Sequence, residues 1–92
     1  MKLNIAKNEN YKFTETDVLM VSENYMEEIL IKEGLDIDNG CGEIDCTAVV
    51  DEAIQLGFMN LGDFGKGFIF VTYAYELSDD ILKYFPDINK WW

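Results

Sequence analysis

The side chains present in numbers that could do chemistry are carboxylates: eighteen Asp plus Glu stand against seven lysines, with no arginine and no histidine. A nucleophile needs a base beside it, so the missing histidine removes every Cys-His and Ser-His arrangement. Lysine or a carboxyl group with a raised pKa could act as base instead, but so many acids place some pair at almost any separation, and no pair stands out. Glu27-Glu28, Asp51-Glu52 and Asp79-Asp80 read as solvated helix positions or as first-turn acids facing a helix dipole, not as an acid and a base. The expectation is a non-enzymatic protein without a cofactor.

Three glycine-containing stretches look like phosphate sites and fail on context. Gly62-Asp63-Phe64-Gly65-Lys66-Gly67 has the wrong order for a dinucleotide turn and precedes a strand pattern, whereas a phosphate cradle must open a helix. Asp63-Phe64-Gly65 lacks the other kinase elements, and Gly65-Lys66 lacks the following hydroxyl residue of a P-loop. The acidic loop Asp36, Asp38, Glu43, Asp45 is the one metal candidate. Aligning Gly40 or Gly42 with the sixth position of an EF-hand puts Leu35 or Ile37 where the first acidic ligand belongs, so a bland loop is expected. Cys41 and Cys46 are too few for a disulfide framework or a four-ligand zinc site and read as reduced thiols.

The elements that must position these acids follow from periodicity. With 92 residues, 49% of them apolar and only one proline, the chain has enough hydrophobic material for one core and reads as a single domain over 1–92. Met1, Leu3 and Ile5 alternate, as do Tyr11 and Phe13 beyond a polar Lys7–Asn10 centre, which predicts two short strands and a hairpin. Val18, Val21, Tyr25 and Ile29 recur at three and four after Thr14 and Asp17 at capping-box spacing, predicting a helix over 15–33 ended by Gly34. A rival reading makes 18–21 a buried strand and starts the helix after Ser22. Met20 and Ile31, which fall on the polar side of a single long helix, favour that rival.

Residues 35–45 have turn chemistry. A second helix follows, with Val49, Val50, Ala53, Ile54 and Leu56 on one arc and Asp51, Glu52 and Gln55 opposite, closed by Gly57. Residues 58–67 read as a glycine-rich loop leading into a central, two-sided strand at GFIFVTYAYEL, whose Phe68, Phe70, Tyr73 and Tyr75 are expected to pack in the core and across strands. Ser78 is placed to cap a short helix that Pro86 ends. The sum is an α+β fold, a small antiparallel sheet of about three strands packed by two or three helices. Trp91-Trp92 is expected to fold back onto the sheet, or else to anchor a partner.

Charge separates the function classes. The formal net charge of −11 disfavours direct binding to nucleic acid or to an anionic membrane surface. Residues 13–65 hold thirteen acids and Lys32 alone, so the imbalance lies in the middle of the chain. No secretory signal is apparent, and the longest apolar runs, 18–21 and 68–71, are far too short to span a bilayer, so a cytoplasmic location is expected.

Glu23 and Glu27 lie one helical turn apart, with Glu28, Glu33, Asp36 and Asp38 following, and Asp51 and Glu52 share the polar arc of the second helix. One turn rises about 5.4 Å, comparable with the step between phosphates on a nucleic-acid strand. Carboxylates fixed in this way could occupy the basic groove of a nucleic-acid-binding protein or nuclease complex. In size, charge and compactness the chain resembles small acidic inhibitor proteins: phage-encoded anti-CRISPR and anti-restriction DNA mimics, and the immunity proteins that block toxic nucleases. The resemblance rests on this profile without a shared motif, and implies a protein that works by occupying a basic site. The alternative is a structural protein forming a homo-oligomer, such as a homodimer, through its sheet edge or Trp91-Trp92.

Overall fold

A computed structural model describes residues 10–14, 16–63, 67–86 and 88. The strand expected over residues 1–5 and the Trp91-Trp92 pair lie outside the described residues. Among those described, four strands form one antiparallel sheet in the order β1-β2-β4-β3: β1 is Tyr11–Phe13, β2 Val18–Ser22, β3 Met59–Asp63 and β4 Phe68–Tyr73. The helices are α1, Glu23–Lys32, α2, Cys46–Gln55, and the single turn α3, Asp79–Leu82. The α+β class with a small antiparallel sheet is as the pattern predicts, and two of the described strands, β2 and β3, stand where it predicts a helix and a loop.

β2 is present because the long helix over 15–33 does not form and the rival reading, a strand over 18–21 with the helix starting after Ser22, holds. Thr14 and Asp17 close a reverse turn instead: Asp17 N–H donates to Thr14 O at 3.1 Å, Thr14 N–H to Val18 O at 2.8 Å, and Asp17 sits at φ 62°. Residues 18–22 then alternate, with Leu19 and Val21 fully buried and Val18, Met20 and Ser22 half-buried. Their registers Val18↔Tyr73 through Ser22↔Ile69 satisfy the backbone along β4. Pairing that buries one face of this apolar run outweighs a three-and-four spacing that the same residues also satisfy. Ser22 is the N-cap, its Oγ accepting Tyr25 N–H at 3.3 Å, and Gly34 at φ 77° ends α1.

The expected loop over 58–67 contains β3. Met59 pairs with Val71 and Asn60 with Phe70, after which the register shifts before Asp63. Gly62 at φ 101° occupies this irregularity, with its N–H donating to Asn60 Oδ1 at 2.8 Å, so the glycine serves a bulge within a strand.

β4 is central, as expected, and among the described residues α1 and α2 pack on one face of its sheet. Phe70 and Thr72 are buried on the inner face, whereas Ile69 and Val71 are half-buried and Tyr73 is 45% exposed on the outer one. The strand stops at Tyr73, a 3-10 turn takes Ala74–Glu76, and Tyr73 and Tyr75 stack on one another at the surface with centroids 5.3 Å apart. Those two tyrosines are therefore not core residues. On α2, Val49 and Ala53 face the core but Ile54 is 54% exposed, so its apolar arc is narrower than the sequence suggests.

Leu19, Val21, Phe70, Met26, Ile29, Leu30 and Val49 make the centre of the buried cluster. Phe85 closes one end, edge-on to Tyr11 at 4.9 Å between centroids and to Tyr25 at 5.8 Å. Among the described residues, no helix is long and apolar enough to cross a membrane.

Candidate partner-binding surface

The acids predicted to act together fall into two groups, those bound into the fold and those left to solvent. Glu23 belongs to the first. Its Oε1 accepts the backbone N–H of Phe68 at 3.2 Å, which ties the first turn of α1 to the start of β4. Glu33 does as well: Tyr84 O–H donates to its Oε2, and Lys83 Nζ lies 3.5 Å away. The Tyr84 hydrogen bond, assisted by Lys83, holds the Glu33 carboxyl below the usual carboxylate range, and the same bond pushes the Tyr84 phenol up to about 12. Tyr25 O–H in turn donates to Tyr84 O, so α1 and the segment after α3 are joined twice.

Asp36 and Asp38 organise the connection between the two long helices. Asp36 Oδ1 accepts Asp38 N–H at 3.1 Å, and Asp38 Oδ1 accepts Gly40 N–H at 2.7 Å and Gly42 N–H at 3.1 Å. A bridge between Asp38 and Ile44 closes this loop, and Asp45 caps α2 by accepting Thr47 N–H at 2.9 Å. Asp36, Asp38 and Asp45, three of the four acids of the metal candidate, thus accept backbone donors within the loop and at the start of α2. Among the described residues, no group of three or more acidic, cysteine or histidine side chains could hold a metal ion. Cys41 and Cys46 are free and exposed.

Glu27, Glu28, Asp51 and Glu52 make up the second group. Turning about 100° per residue from Glu23, α1 directs Met26, Ile29 and Leu30 inward and Asn24, Glu28, Ile31 and Lys32 outward, with Glu27 at the margin. Glu28 is exposed and Glu27 half-buried; on α2, Asp51 is exposed and Glu52 half-buried. Both helices pack against each other on one side of the sheet. The described lysines are Lys12, Lys32 and Lys83, and none makes a salt bridge to any of these four carboxylates. Burial raises the Glu27 pKa and the neighbouring Glu23 charge raises it further. Burial likewise raises Tyr25, with Glu28 adding to the effect.

The spacing therefore identifies the acids but not their roles. Glu23 and Glu33, spaced like the rest, are drawn into the fold by Phe68 and Tyr84, distant partners that local periodicity does not contain. Sequence reasoning also passed over the groove between α1 and the 35–45 loop, of about 230 Å³, where Ile31 and Ile44 are exposed beside Asp36, Asp38 and Glu43. Its signal was Ile31, an apolar residue on the outer arc of α1.

No protein-family model, curated protein or solved structure matches the chain.

Proposed function

We propose that this chain is a non-enzymatic acidic inhibitor of the anti-defence or nuclease-immunity kind, which occupies a basic nucleic-acid-binding surface of a partner protein. The observation that carries the reading is the layer formed by α1 and α2, on which Glu27, Glu28, Asp51 and Glu52 stand on packed helices without a lysine partner among the described residues. Burial, and after it the Glu23 charge, disfavours an ionised Glu27, so a cation supplied from outside would offset part of that cost. Opposite charge also accelerates the encounter, and the complex should weaken steeply with salt. The setting we propose is the cytoplasm, where Cys41 and Cys46 would stay reduced.

The test is charge reversal of Glu27, Glu28, Asp51 and Glu52 to lysine, with Glu23 left intact because its carboxylate is a structural acceptor. The variant should keep its circular dichroism and melting profile, yet lose capture of a nucleic-acid-binding protein that wild type retains at low salt and releases along a salt series. Equal capture by both would remove the helix layer as the contact.

A second reading is self-association through the sheet. Among the described strands β3 lies at an edge, and Met59 and Leu61 on it are 65% and 47% exposed. Light scattering across a concentration series decides this: a constant monomer mass would eliminate it.

A further inference from the structure

We propose that the groove between the C-terminal half of α1 and the 35–45 loop is a seat for an arginine side chain of the partner, its stem lying on Ile31, Leu35 and Ile44 and its guanidinium meeting the carboxylates of Asp36, Asp38 and Glu43. This rests on the inhibitor reading and gives it an anchor point. The groove has about 230 Å³ of space, enough for one long side chain but not for a folded segment. Its apolar part is open to solvent, Ile31 being 58% and Ile44 40% exposed on the lining of the same groove.

Charge complementarity selects the occupant. Asp36 and Asp38 each use Oδ1 on loop N–H groups, and Glu43 is exposed. All three acids line the groove, and no described lysine makes a salt bridge to them. Arginine suits such a site better than lysine, because its planar guanidinium is weakly hydrated, offers several donors in a fixed fork and carries an aliphatic stem that covers apolar surface. The loop is held in advance by the Asp38↔Ile44 bridge, by Asn39 N–H to Glu43 O at 2.9 Å and by Asp45 N–H to Ile37 O at 2.7 Å. Little ordering remains to oppose binding.

The experiment uses the full chain with labelled isoleucine methyl groups, titrated at physiological salt with a hexa-arginine peptide and with hexa-lysine. Hexa-arginine should shift the Ile31 and Ile44 methyls first and bind at least about threefold more tightly than hexa-lysine. In Asp36→Asn/Asp38→Asn/Glu43→Gln, which retains the amide oxygens that hold the loop, affinity should fall about tenfold. Ile44→Ser, at an exposed position, should weaken it about threefold without lowering the melting temperature.

Equal affinity for the two peptides would overturn the assignment to arginine. Binding that shifts only the Ile54 methyl, on α2, and is unaffected by the groove variants would overturn the groove while leaving the inhibitor reading standing. Absence of any association would overturn the groove, with the wider reading then decided by the charge-reversed capture alone. Ile31 and Ile44 shifts that follow protein concentration without peptide would make a second copy the occupant and end the proposal.

Discussion

Glu23 and Phe68 are forty-five positions apart, yet the carboxylate of the first accepts the backbone N–H of the second at 3.2 Å. Gly67 lies directly beneath this contact at φ 106°, where an added Cβ would come within 3.3 Å of Glu23 Oε2. An acid that the sequence assigns to partner binding is thereby a fastener between α1 and β4. Glu23→Ala should lower stability by about 1–2 kcal/mol in urea titration, through loss of a charge-assisted hydrogen bond at a partly buried site. Glu23→Gln, which keeps an acceptor, should cost less. Gly67→Ala should also destabilise, because the backbone there is strained for any L side chain.

The Glu33–Tyr84 hydrogen bond predicts a stability profile with two shoulders. Glu33 has a folded pKa below its ordinary 4.5, so its contribution is present above that value and is lost as pH falls through the folded pKa. Tyr84 moves from its ordinary 10.0 to about 12, so its contribution is complete below 10.0 and is lost as pH rises toward about 12. Tyr84→Phe should flatten both shoulders together in urea midpoints measured across pH. A variant that flattens one alone would separate the two groups.

The strand over 18–22 makes neighbouring residues unequal. Leu19 is wholly buried, and Leu19→Ala should cost about 2–5 kcal/mol as a core cavity. Met20 is half-buried on the outer face, so Met20→Ala should cost clearly less than Leu19→Ala. Similar losses at both would contradict the register Leu19↔Thr72, Met20↔Val71.

The fold class, α2, the central strand and the glycine that ends α1 were legible because each depends on local pattern. The segment 14–22 was ambiguous because its apolar spacing fits both periods, and only the pairing with β4 decides between them. β3 was hidden for a related reason: Gly62 looks like loop chemistry until its bulge beside Asn60 is seen. Among the acids, spacing treats Glu27, Glu28, Asp51 and Glu52 like the rest, and the structure leaves these four without salt-bridge partners among the described residues. Spacing gives no sign that Glu23 and Glu33 also accept hydrogen bonds from Phe68 and Tyr84, which are distant in the chain. Asp36 and Asp38 were assigned to binding by charge, and they also shape the loop they stand on.

The central claim is occupation of a site that nucleic acid would otherwise fill, and competition measures it most directly. A partner captured by this chain is loaded with fluorescent nucleic acid at physiological salt, and the chain is added in increasing amounts. Stoichiometric displacement by wild type, and none by the Glu27, Glu28, Asp51, Glu52 charge-reversed variant, is the expected result. A stable ternary complex of chain, partner and nucleic acid would contradict it.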